Sequence, residues 1–366
     1  MEGRERGGGA GGGTKPPVVI TFAERMGATY LAPSDLQRLE KFAEVIWLPI
    51  PGERQRGQGP RGGPPPAPRP ELLEVLPRAE ALVICHGAPV VDAALLERAP
   101  RLRFVGELEG DRFATRVDVE ACNARGVVAV DTTNGSSYPV SEWALAMTLI
   151  ALRNAGHHFR RMLAGEVGQD REQPGYFFGE LTGKRVGLIG CGHIGRRFLE
   201  YLRPFRCEVR VYDPYLAPEV VDIYDLIHTS LELVFRQSDV VVCLAPLTPR
   251  TRGMIGAAEL DWLQPNAAFV NVSRGPIVDS QALIERLKRG DGVRAALDVF
   301  DPEPIPADSE IRQLSNVFLT PHIAGSNAES RPRFFSLMVD ELERFFQGYY
   351  PRYVLNERTL ANRRGS

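Results

Sequence analysis

Residues 185–213 read RVGLIGCGHIGRRFLEYLRPFRCEVRVYD, and this stretch decides the fold. Val186 to Ile189 form an apolar run too short for a buried helix, so they read as a buried strand. Gly190, Gly192 and Gly195 follow at the spacing of a dinucleotide-binding turn. Phe198, Leu199 and Leu202 then repeat as one helical face, and Glu208 to Tyr212 give a second strand that ends at Asp213. The glycines divide the work. The first makes the tight turn, the second lets backbone approach a pyrophosphate, and the third lets helix and sheet pack closely. The start of the helix offers unpaired N–H groups and partial positive charge to phosphates. Asp213 can accept hydrogen bonds from a ribose diol and would repel a 2′-phosphate, which favours NAD over NADP. Three glycines alone are weak evidence. Here the strand, the helix and the acid all stand where the motif requires them.

The chain has 366 residues, enough for two domains, and its composition of 43% hydrophobic and 25% charged residues is that of a globular protein. A net charge of -2 and a pI near 6.4 predict neither a nucleic-acid surface nor a membrane surface. The five cysteines include no CxxC pair and sit mostly in apolar patterns. Buried free thiols in a reducing cytoplasm are expected, with no metal site and no secretory signal.

The remaining chain alternates strand and helix patterns. Before residue 150 the strands are expected at Val18–Phe22, Glu44–Leu48, Ala81–Cys85, Leu102–Val105 and Val127–Val130; after the central motif they recur at Asp239–Leu244, Ala268–Val272, Val293–Phe300 and Asn316–Leu319. This rhythm predicts an α/β protein of two doubly wound parallel-sheet units. The expected division is a disordered tail at 1–17, a first unit at 18–150 plus 326–355, a dinucleotide-binding unit at 151–325 and a tail at 356–366. The Pro/Gly/Arg-rich segment 49–70 reads as a surface loop. Pro139–Arg153 is a long helix with Trp143, Met147, Ile150 and Ala151 on one side, and a final helix at Arg333–Gln347 is expected to return to the first unit.

Ligands of such sheets bind beyond the carboxyl ends of the strands. Arg274 follows the strand ending near Val272. Asp298 ends the next, with Glu303 shortly after it, and His322 follows the last. Parallel strands bring these ends to the edge that carries Gly190–Gly195. Reduction of a ketone by NADH leaves an oxygen that needs a proton and a positive field. His322 can donate the proton, because imidazole titrates near neutrality. A carboxylate beside it, Glu303, favours the charged form. The planar fork of Arg274 suits the carboxylate of a 2-oxo acid, and Asp298 can receive the nicotinamide carboxamide.

GCGHIG with Asp213, DVVVCLAPLTPRTRGMIG, NVSRGPIVD, ALDVFDPEP and LTPHIAG together resemble the D-isomer-specific 2-hydroxyacid dehydrogenases, over about Val18 to Gln347. The resemblance implies an NAD-dependent hydride transfer between nicotinamide and a 2-hydroxy acid/2-oxo acid pair, with Arg274, Glu303 and His322 catalytic. It implies NAD contacts from Gly190, Gly192, His193, Ile194, Gly195, Asp213, Pro246, Val272, Ser273, Arg274, Asp298, His322 and Gly325. Substrate contacts would come from His86, Gly87, Gly110 and Arg274. It also implies a cleft between a flavodoxin-like substrate unit and a Rossmann unit, in a homodimer built on the helix at Pro139–Arg153. The chain departs from the family in two places. Leu244 stands where a His is common beside the cofactor, and the loop GELEGDRFATRVD, Gly106–Asp118, is longer and carries Glu107, Glu109 and Arg112. Acids there either disfavour an anionic substrate or point away from it. The altered loop leaves one competing reading, an NAD(H)-responsive binding or corepressor-like protein with little turnover.

Overall fold

A computed structural model describes residues 14–52, 66–109, 116–166, 179–325, 327–356 and 361. Most of the expected tails, much of the 49–70 loop, and Gly110 and Arg112 lie outside the described residues.

Two parallel sheets organise the chain. The first contains β1 (Pro17–Ala23), β2 (Glu44–Ile50), β3 (Ala81–Ile84), β4 (Phe104–Glu107) and β5 (Val128–Asp131), in the order β2-β1-β3-β4-β5. That is the flavodoxin-like order. The second contains β6 (Arg185–Ile189), β7 (Glu208–Tyr212), β8 (Ile227–His228), β9 (Val240–Cys243), β10 (Ala268–Asn271), β11 (Arg294–Leu297) and β12 (Val317–Leu319). Its order is β12-β11-β10-β9-β6-β7-β8. Read from β8, this is the Rossmann winding, with the switch between β6 and β9. The central strands are apolar along their length because helices cover both faces: all four residues of β9 are fully buried.

β1 starts at Pro17, the last residue assigned to the leading tail, and pairs it with Glu44 of β2. The division expected at residue 150 also differs from the packing. The helix Ser137–Leu152 buries Val140, Ala144, Met147 and Ala151 in the core of the second sheet, with Val186, Leu188 and Phe198. Its apolar stripe faces β10 and β11, so the helix packs on the second unit although it leaves the first. Arg294, almost fully buried at the start of β11, donates to Leu152 O (3.1 Å) and Asn266 O (2.6 Å) and fixes the end of that helix. Burial brings its pKa down to about 10.

The last helix, Ser330–Phe346, returns to the first sheet. Phe334, Phe335, Met338, Val339 and Leu342 are fully buried there with Ile20, Val83 and Phe104. Glu341, also buried, accepts the N–H groups of Arg352 (2.5 Å) and Tyr353 (3.0 Å), so the segment after the helix is held against β5. Among the described residues no helix is long and apolar enough to cross a membrane.

Candidate active site

The cofactor turn is built as its glycines require. Gly190 has φ +87°, and a Cβ there would fall 2.7 Å from Ala245 Cα. A Cβ on Gly195 would lie 2.9 Å from Gly190 O, so only glycine lets the helix His193–Leu202 press onto β6. Gly192, the residue before this helix, faces open space, and no side chain caps it. The first N–H groups of the helix therefore point into room that suits a pyrophosphate. Asp213 closes β7 and is tied into the turn: Oδ2 accepts Cys191 N–H (2.8 Å) and Oδ1 accepts Tyr215 N–H (2.9 Å). A carboxylate oxygen has two acceptor sites, so each retains capacity for a ribose hydroxyl. Burial, then the Asp213 charge, pushes the Cys191 thiol up to about 12, so it is no thiolate nucleophile. His193 is exposed and Ile194 half-buried; Pro246, also exposed, follows β9. The residues present fit a dinucleotide.

The ends of β10, β11 and β12 supply the remaining side chains. Val272 and Ser273 are buried and Arg274 is half-buried, with Nη1 donating to Ser273 O (2.8 Å). His322 has φ +55°, and its N–H donates to Asp298 O (2.9 Å) and Thr320 O (3.0 Å). The His322 Nδ1 lies 2.6 Å from Glu303 Oε1. Glu303 Oε2 accepts Phe300 N–H (3.4 Å). The His322 side chain is 24% exposed and that of Glu303 34%, so the pair opens to solvent on one side. This geometry orients an imidazole through Nδ1, and the pair is of a kind able to pass a proton to a bound group.

Asp298 is fully buried. Its Oδ1 accepts Thr320 Oγ1 (2.6 Å) and Ile323 N–H (3.0 Å), and Oδ2 accepts Ala324 N–H (2.9 Å). It thus shapes the loop that presents His322, a role that its place at a strand end did not suggest. Gly325 follows; Ser330 Oγ donates to its carbonyl (3.0 Å), and a Cβ on it would lie 3.8 Å from Ser136 Cβ. Since Thr133–Ser136 follows β5, the carboxyl edges of the two sheets meet beside His322.

The first sheet carries a second group of polar residues at the ends of β3 and β4. Gly87, at φ +88°, lets the chain turn against Ala23. Arg116 binds Glu107 through Nε (2.5 Å to Oε1), donates to Glu109 O (3.1 Å) and reaches His86 Nδ1 (3.3 Å). Tyr30 donates to the Glu109 carboxylate, whose Oε2 lies 3.6 Å from His86 Nε2. Burial, then the Glu109 charge, pushes the Tyr30 phenol far above its ordinary value, and the same two causes lift the Cys85 thiol to about 12. Cys85, His86 and Glu109 could offer ligand atoms within 4.8 Å of one another. Arg116 and Tyr30 already engage two of these residues. The family resemblance singled out His86, and the altered loop drew notice to Glu107 and Glu109, but Tyr30 and Arg116 were missed. Tyr30 ends a short helix, Glu24–Tyr30, that shows too few turns for periodicity to reveal it.

A sequence model described as the NAD binding domain of D-isomer specific 2-hydroxyacid dehydrogenases matches residues 145–324. NAD is therefore the dinucleotide that this turn serves. The D-3-phosphoglycerate dehydrogenase of Methanocaldococcus jannaschii is 33% identical over 289 residues, which cover 78% of this chain and 53% of that protein. The chain thus spans about half the length of that curated relative. The glyoxylate reductase of Thermococcus litoralis is 30% identical over 95% of this chain and 99% of its own length. A solved protein of Pyrococcus horikoshii shares the fold with a TM-score of 0.74 at 23% identity, covering 95% of this chain and 97% of its own. With the full-length match and the domain match in agreement, the chain belongs to the D-isomer-specific 2-hydroxyacid dehydrogenase family.

Proposed function

We propose that this chain is an NAD-dependent oxidoreductase that interconverts a small 2-oxo acid and its 2-hydroxy acid. The carrying observation is the 2.6 Å pair of His322 and Glu303, beyond the parallel strands of an NAD-binding sheet. Bound NADH supplies the hydride for the carbonyl carbon. His322 gives its proton to the carbonyl oxygen and takes it back in the reverse direction. Glu303 holds the imidazole by Nδ1, so Nε2 faces the substrate. Arg274 engages the substrate carboxylate through its fork and lends positive field to the carbonyl. Asp298 keeps the His322 loop in place. His86 and Gly87 form the opposite wall.

The names of the relatives point to substrates ranging from glyoxylate to a phosphorylated three-carbon acid. A homodimer is supported by apolar side chains exposed on two consecutive helices: Tyr138 and Leu149 on Ser137–Leu152, and Phe159, Met162 and Leu163 on Ala155–Leu163. Five free cysteines suit a reducing compartment such as the cytoplasm. The test is NADH and NADPH oxidation by the purified chain with a panel of 2-oxo acids. Turnover with NADH and at least one acid supports the reading. NADH binding without turnover on any acid would favour the binding-protein reading.

A further inference from the structure

The carboxyl edges of the two sheets meet where Ser136 lies against Gly325, and the chemistry above draws mainly on the second sheet. The first sheet carries a chain of polar groups: Tyr30 to Glu109, Glu109 beside His86, His86 to Arg116, and Arg116 to Glu107. It stands at the carboxyl ends of β3 and β4, on the edge of the first sheet. The Tyr30 ring stacks on Phe334 at 5.9 Å, and Phe334 packs on Gly135, where a Cβ would lie 2.7 Å from its ring. The next residue, Ser136, lies against Gly325, three residues beyond His322.

We propose that Glu109, held between Tyr30 and His86, selects among 2-oxo acids at this site: it favours a substrate whose distal group is uncharged and donates a hydrogen bond, and it rejects one that carries a phosphate there. The inference rests on the dehydrogenase reading above and narrows its substrate class.

Among the described residues, the charges at the ends of β3 and β4 are already engaged. Glu107 is fully buried, and its charge is tolerable there because Arg116 sits on it. Arg116 directs its other donors to Glu109 O and the His86 ring. It cannot swing toward a second anion without stripping a buried carboxylate of its cation. The charge of Arg331, in the first turn of the last helix, acts on Tyr30. Against these stands the Glu109 carboxylate, 22% exposed. A phosphate brought to these groups would set a dianion against a fixed carboxylate, and like charges placed together are strongly disfavoured. A hydroxyl at the same place would meet an acceptor already oriented by a phenol and an imidazole.

The test compares hydroxypyruvate with its 3-phosphate as substrates of the full chain with NADH. A second readout, calorimetric titration with glycerate and 3-phosphoglycerate, does not depend on turnover. The unphosphorylated acid is expected to have a kcat/KM about 10²-fold higher or more. Glu109→Gln should cut that ratio about tenfold, mostly through KM for the phosphorylated acid, and should tighten 3-phosphoglycerate in the calorimeter. If Glu109→Gln does not fold, Tyr30→Phe serves instead: it removes the hydroxyl that shares the Glu109 charge and should widen the ratio. A wild-type ratio near one, or a preference for the phosphate, overturns the inference and leaves the dehydrogenase reading intact. So does a folded Glu109→Gln with an unchanged ratio. No turnover with any 2-oxo acid overturns both.

Discussion

Replacing Glu303 by Gln tests the acid–base pair at its least obvious member. The substitution keeps the shape and an oxygen able to accept Phe300 N–H, so the loop should survive. What it removes is the charge 2.6 Å from His322 Nδ1. A hydrogen bond to a charged partner contributes about 1.5–3 kcal/mol. The pair is open to solvent, with side chains 24% and 34% exposed, which favours the lower half of that range. Glu303 fixes the imidazole through Nδ1, so losing the bond loosens the placement of Nε2, and about 1.4 kcal/mol is a factor of ten in rate. kcat for oxo acid reduction should therefore fall about 10–10²-fold. NADH affinity should not move, since Glu303 lies beyond β11 and away from the glycine turn. Stopped-flow NADH absorbance and fluorescence titration measure the two quantities. A variant that melts like wild type and keeps kcat within about twofold would refute the proposed role of Glu303.

Arg274→Lys should raise KM for the oxo acid at least tenfold, by about 1.4 kcal/mol or more, with little effect on NADH binding, because an ammonium cannot reproduce the fork; steady-state kinetics decide it. Asp291 is paired with the buried Arg286 (2.8 Å), and that partner holds its carboxyl below the ordinary value. A carboxyl whose folded value is depressed stabilises the fold above its unfolded value and loses that contribution as pH falls through the folded one. Melting temperature should drop below about pH 4 in the wild type and less steeply in Asp291→Asn. Arg294→Met should destabilise by about 2–4 kcal/mol, because Leu152 O and Asn266 O lose their buried donor; denaturant unfolding reads this.

Much of the fold was legible because parallel strands covered on both faces leave long apolar runs. Val240–Val242 and Val18–Ile20 could hardly sit elsewhere than inside a sheet. The elements that escaped reading lack that signature. The helix Ala155–Leu163 buries only Gly156, and Arg160 pins it through the carbonyls of Leu314, Ser315 and Val317. β8 is two exposed residues at the sheet edge, paired with β7. The division at residue 150 followed chain order, whereas the stripe of Val140, Ala144 and Met147 follows the second sheet. The placement of Arg274, Glu303 and His322 after strands of one sheet was readable because parallel strand ends share an edge. The tie of Glu109 to Tyr30 was not, since 79 residues separate them and only the tertiary packing joins them.

The most direct measurement is single-turnover reduction of a 2-oxo acid by the NADH-loaded chain, with wild type and His322→Ala side by side. The variant is expected to bind NADH as the wild type does while its rate falls about 10²–10⁴-fold. A His322→Ala protein that reduces the acid at close to the wild-type rate would contradict the claim that this imidazole gives the carbonyl its proton.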